Sequence, residues 1–120
     1  MTLSELLHQV TTIKGVSSAA IVSAEGEMVE HTGASDADAA FIGGLIASSL
    51  ASSRVLAGLL GEGDVTQTMI EYEQGPVLLM PLGAEDEPVM MTQLASTSAL
   101  GRARFQLRKL VPDIARAVRT

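Results

Sequence analysis

The sequence predicts an α+β sandwich, in which helices pack against a five-stranded antiparallel sheet in the order α-β-β-α-β-β-β-α. Three observations predict it. Apolar residues recur with helical period near both ends of the chain and through one long central stretch. Between these stretches stand short runs rich in Val, Ile, Thr and Met, bounded by Gly, Pro and acidic turn residues. The runs fall into two hairpin-like groups, two before the central helix and three after it.

The first helix covers residues 3–13. Leu3, Leu6, Leu7, Val10 and Ile13 make one buried face, Thr2 and Glu5 have capping-box spacing, and Gly15 is the expected stop. Residues 16–24 read as a central strand, small on both faces. Glu25-Gly26 sits where a tight hairpin turn belongs, and residues 27–32 return as a second strand. Ser35 followed by Asp38 reads as an N-cap with an acidic residue in the first turn. The long helix it opens covers 36–60 and stops at Gly61 and Gly63. Strands follow at 64–73 and 76–82, joined by Gln74-Gly75-Pro76. Pro81 marks a strand end or an open edge, since it cannot donate a ladder hydrogen bond. The acidic turn Glu85-Asp86-Glu87-Pro88 leads to a strand at 89–95 and a last helix over 98–119. There Leu100, Ala103, Leu107, Leu110, Val111, Ile114 and Val118 form a buried stripe, and Pro112 is expected to kink the helix.

A chain of 120 residues with 47% apolar content suits one domain, 1–120, with a real core. No Cys is present, and with no Trp, one Tyr and two Phe the core must be aliphatic. The first residues lack a basic segment followed by an apolar run, so no secretory signal is expected, and a cytoplasmic location fits the lack of Cys. A net charge of −6 argues against nucleic-acid binding. Its distribution is lopsided. Residues 102–120 hold six basic residues against Asp113, a surplus of +5, while residues 1–101 hold two basic against thirteen acidic, −11. The basic end either folds onto the acidic body or offers an electrostatic docking surface.

No catalytic, metal or cofactor site is legible. His8 and His31 lie on different elements without neighbouring ligands, and Gly43-Gly44 lies inside a helix instead of a phosphate loop. No nucleophile elbow occurs, and Glu85-Asp86-Glu87 lacks the spacing of a calcium loop.

The central helix is unusual in another way. It is nearly uncharged from Ala39 to Ser53, with large apolar residues on more than one side. Small residues repeat every four positions: Gly44, Ser48 and Ser52 on one row, Gly43, Ala47 and Ala51 on the next. Three readings compete. The helix could be buried within the subunit, or could span a membrane through small-residue packing. Arg54, the serines and the lack of flanking basic residues oppose the span. The reading these residues favour puts one face on the subunit's own sheet and the other on a partner's helix. The strand at 64–73 supports it, because it has no Lys, Arg or Pro to protect it as a sheet edge. On the last helix, Phe105 lies about 140° from Leu100. Arg102, Lys109 and Arg116 share that outer side, as a partner-docking surface or as ordinary solvated surface.

These features together resemble the roadblock/dynein light-chain domain family. Ala20-Ile21-Val22-Ser23-Ala24-Glu25-Gly26-Glu27 resembles its first hairpin, and Val65-Thr66-Gln67-Thr68-Met69-Ile70-Glu71 its third strand. Leu100-Gly101-Arg102-Ala103-Arg104-Phe105-Gln106-Leu107-Arg108 resembles the opening of its last helix. The resemblance covers nearly the whole chain and implies a homodimer or heterodimer formed through the second helix and third strand, with one continuous sheet across the pair. Here that implicates Phe41, Gly44, Leu45, Ala47, Ser48, Ala51 and Ser52 on the helix, with Val65, Thr66, Thr68, Ile70 and Tyr72 on the strand. Bacterial members bind a small Ras-like GTPase, and some stimulate its hydrolysis by repositioning the GTPase's own residues without an arginine finger. Arg54, the one basic residue of the central helix, is the candidate if a finger existed. The expected function is a homodimeric regulator or adaptor of such a GTPase, with Arg102, Phe105, Lys109 and Arg116 as docking residues. A structural scaffold without effect on nucleotide turnover is one alternative. A small-molecule sensor with a pocket between sheet and helices is another.

Overall fold

The computed structural model describes residues 1–33 and 38–119. Its elements are α1 (Leu3–Thr12), β1 (Val16–Val22), β2 (Met28–Thr32), α2 (Ala39–Leu60), β3 (Thr68–Tyr72), β4 (Gly75–Pro81), β5 (Val89–Leu94) and α3 (Leu100–Arg119). This is the predicted order. The strands form one antiparallel sheet, β2-β1-β5-β4-β3. β1 is an interior strand as expected, but β5 holds the centre.

Helices cover both faces of the sheet. Alternate strand residues Ala19, Ile21, Leu78, Met80, Met90 and Leu94 meet Leu6, Leu7 and Val10 of α1 and Ala103, Leu107 and Ile114 of α3. The other set, Ala20, Val22, Leu79, Val89 and Met91, meets Ile46 and Leu50 of α2. A sheet covered on both sides buries both alternations of its strands, which is why β4 reads as a continuous apolar run, while β1 and β5 are interrupted only at Ser17-Ser18 and Thr92-Gln93.

Local signals set most element ends. At α1 the Glu5 amide donates to Thr2 Oγ1 (3.1 Å) and the Thr2 amide donates to Glu5 Oε1 (3.2 Å), completing the capping box. The Thr2 amide first, and then its side chain, hold the Glu5 carboxyl below the ordinary 4.5. The cap is therefore stabilising above that pH and weakens as pH falls through the depressed folded value. Thr2→Ala is expected to lower stability by about 1 kcal/mol at neutral pH and less in acid, read by urea unfolding at both. Gly15 is not the helix stop. The helix ends at Thr12 with Ile13 extended, while Gly15 (φ +93°) lets the turn after α1 lie against Ala99, just before α3, since a Cβ there would clash with the Ala99 methyl. β1 stops at Val22, short of Ala24, because the Ser23 and Gly26 amides close the hairpin turn onto Glu27 O (2.8 Å) and Ser23 O (3.0 Å).

Among the described residues α2 begins at Ala39; the expected start at 36 and its Ser35 cap fall outside them. Gly61 ends it in a left-handed conformation (φ +70°). The strand expected at 64–73 is shorter, Thr68–Tyr72, so Val65 and Thr66 are not in it. Its register pairs Thr68 with Leu79 and Tyr72 with Gly75. Continuing that register would bring Thr66 opposite Pro81, which has no N–H to donate. Val65 instead packs against the core on the α2 side. In α3 the expected stripe faces inward, with Ala115 added, and Ile114 and Val118 keep their phase beyond Pro112. Pro112 is exposed, so its ring and missing donor fall on the solvent side of the helix.

Candidate protein-interaction site

The apolar surface of α2 exceeds what its own sheet can cover. Only Gly43, Ile46 and Leu50 are buried, on the face toward β1, β4 and β5. Phe41 (77% exposed), Leu45 (68%), Val55 (64%), Leu56 (56%), Leu59 (81%) and Leu60 (63%) point away from it. At 100° per residue most of these cluster roughly opposite the buried face, with Ser48 and Ser52 between them. The result is a stripe along a helix of 22 residues, about 33 Å long, with large residues at both ends and small ones in the middle. Val55, Leu56, Leu59 and Leu60 were not among the expected interface residues. Their signal was the continuation of the 3-and-4 spacing beyond Ser52.

The two rows of small residues have different roles. Gly43 is small because the β1–β2 hairpin touches it: a Cβ there would lie 2.4 Å from the Gly26 carbonyl oxygen. A Cβ on Gly44 would point into open space, with nothing within 4 Å. Ser48, Ala51 and Ser52 are exposed and Ala47 is half-buried. The row Gly44-Ser48-Ser52 is thus not explained by packing within the subunit, whereas Gly43 is.

β3 lies at the sheet edge beside this helix, paired only with β4 among the described strands. Thr68, Ile70 and Tyr72 face the α2 side, since they pair with Leu79, Val77 and Gly75. The Thr68 and Ser53 hydroxyls lie 3.2 Å apart and tie strand to helix. Between them runs an open groove of about 240 Å³, lined by Ile42, Leu45, Ser49, Ile70, Tyr72 and Val77 among others. The structure therefore brings Leu45, Ile70 and Tyr72 to one surface. Phe41, Ser48 and Ser52 continue it along the helix. Thr66 is exposed in the segment before the strand, and Val65 is partly committed to the core.

Arg54 is engaged within the subunit. It donates to the Glu85 carbonyl (3.1 Å) and the Gly83 carbonyl (3.3 Å), pinning α2 to the β4–β5 loop. Arg119 reaches the same loop from the other face of the sheet, donating to Leu82 O (3.4 Å). On α3 the outer side holds Arg102, Phe105 (59% exposed), Lys109 and Arg116, as the helical phase required. The Lys109 ammonium sits 4.3 Å from the Phe105 ring centre, and Arg116 pairs with Asp113. Among the described residues no three His, Cys, Asp or Glu side chains are grouped to hold a metal.

Comparison with known proteins agrees with this architecture. The Roadblock/LC7 domain model matches residues 2–92. Among solved structures, the chain is similar to a Roadblock/LC7 domain from Streptomyces avermitilis, at 16% identity and TM-score 0.87 over 100% of both chains. It is also similar to Myxococcus xanthus MglB, at 17% identity and TM-score 0.87 over 98% of this chain and 94% of that one. The gliding protein MglB from Thermus thermophilus aligns at 19% identity and TM-score 0.83, over 96% of this chain and 87% of that one. These likenesses show a shared fold. No curated protein matches the chain. With the three-layer fold and a family match over most of its length, this chain belongs to the Roadblock/LC7 domain family.

Proposed function

We propose that the chain works as a homodimer that regulates a small Ras-like GTPase in the cytoplasm, with no catalysis of its own. The observation that carries the dimer is the exposed apolar stripe of α2 beside the unprotected edge of β3. Two copies related by a two-fold axis would bury both at once. The stripes would cross near Ser48 and Ser52, where small side chains permit close approach. The β3 edges would pair into a continuous sheet, and each groove beside Leu45 and Tyr72 would be filled by the other subunit. A groove so covered has no room for a small-molecule sensor ligand.

Family membership and the likeness to MglB proteins support the GTPase part of this reading. Its docking residues, in this reading, are Arg102, Phe105, Lys109 and Arg116 on α3, which lies on the opposite face of the sheet from α2 and stays free in the dimer. The test is GTP hydrolysis by the cognate GTPase with and without the dimer, together with complex formation. Absence of binding overturns the proposal, and binding with unchanged hydrolysis leaves a scaffold. Arg54 is already bonded to two loop carbonyls, which favours action through the GTPase's own residues. Arg54→Ala is expected to lower the melting temperature while keeping any stimulation. An inserted finger would instead lose about 10³-fold or more.

A further inference from the structure

Among the described residues, the basic end of the chain meets the acidic body in one ion pair, at Arg119. Among the described residues, the ion pairs of α3 are Arg116 with Asp113 on the same helix and Arg119 with Glu87 (3.7 Å). Arg102, Arg108 and Lys109 are exposed and have no carboxylate partner among the described residues. Their charge is left for something outside the subunit.

The spacing along this face is regular. Arg102, Phe105, Lys109, Pro112 and Arg116 follow one another at intervals of three, four, three and four, and all five are exposed. That is the seam of a heptad repeat, with cations at one position and apolar rings at the other. The seam spans about 21 Å. The Lys109 ammonium lies over the face of the Phe105 ring, which joins charge and ring in one ridge. A 3.5-residue ridge is matched by a second helix laid along it.

We infer that this ridge docks an acidic amphipathic helix of a partner protein. Carboxylates seven residues apart on that helix would meet Arg102, Lys109 and Arg116, and aliphatic side chains between them would cover Phe105 and Pro112. This gives a chemistry to the docking residues of the function proposed above, and it can be tested without the GTPase. A short helix is favoured over an extended polyanion for two reasons. The chain carries a net −6, which a dimer doubles, so a membrane or nucleic acid would be repelled by the body as a whole. A short segment couples only to charges within about 8 Å. The face also carries a single aromatic side chain, too little apolar surface to insert into lipid.

The experiment uses the whole chain and a synthetic 21-residue helical peptide with Glu at three positions seven apart and Leu between them, followed by fluorescence anisotropy. Binding is expected to weaken at least tenfold in the double variant R102E/K109E. A peptide with Lys in place of each Glu is expected to bind that variant and not the wild type. Phe105→Ala is expected to weaken binding with unchanged thermal unfolding. Equal binding by wild type and R102E/K109E, or failure of the charge-swapped peptide, overturns the ridge. Preferential pelleting of wild type with phosphatidylserine vesicles over peptide binding also overturns it, in favour of a membrane surface. Stimulation of GTP hydrolysis is measured separately on R102E/K109E, so that a failed peptide rescue removes the ridge and leaves the GTPase reading to its own assay.

Discussion

The wild-type chain is expected to sediment as a dimer at micromolar concentration, and Leu45→Glu with Leu56→Glu as a folded monomer. Both leucines are exposed in the single subunit, at 68% and 56%, so replacing them costs the subunit fold little. In the dimer each would enter an apolar contact. Burying a leucine is worth roughly 1.5–3 kcal/mol, and a two-fold interface counts every residue twice. Losing four such contacts and placing unpaired carboxylates at the seam raises the dissociation constant by several orders of magnitude. Ser48→Leu tests the same crossing by volume instead of charge, at about 1–3 kcal/mol of overpacking. A wild-type monomer, or a double-glutamate variant that stays dimeric, would remove α2 from the interface.

The second prediction separates two neighbouring glycines. Gly43→Ala should destabilise the subunit, because the new methyl meets the Gly26 carbonyl oxygen at 2.4 Å and neither partner is a flexible side-chain tip. Either α2 or the hairpin must shift, at about 1–3 kcal/mol, set against roughly 1 kcal/mol gained from removing a helical glycine. Gly44→Ala meets nothing within 4 Å, so it should leave subunit stability unchanged or raise it by up to about 1 kcal/mol. Any penalty at Gly44 should appear in the dimer dissociation constant. Urea unfolding of the two variants decides the matter, and equal destabilisation would show that the hairpin contact is not what requires the glycine.

These glycines show where sequence reading stops. Both belong to regular rows of small residues, and the rows are indistinguishable by spacing. One faces the backbone of a hairpin some seventeen residues earlier and the other faces outward. Only the angle at which α2 crosses the sheet separates them. The same holds for Arg54. As the lone cation on an apolar helix it invited a role in trans, yet loop carbonyls 29 and 31 residues away already hold it.

Periodicity and capping by themselves determined the element order, the capping box of α1, the inward stripe of α3 and the outward placement of Phe105. These depend on neighbours within one or two turns, which the chain carries in its own local order. They also exposed the surplus of apolar surface on α2, because one sheet cannot cover so wide an arc. Tertiary structure alone decided that β5 is the central strand and that β3 is the edge, and it alone decided that β3 starts at Thr68. Strand neighbours are chosen by long-range pairing, and the start of β3 depends on Pro81 standing where the next ladder partner would be. It also decided which charges of α3 find no carboxylate among the described residues, Arg102, Arg108 and Lys109, since only the packed body shows which carboxylates come within reach.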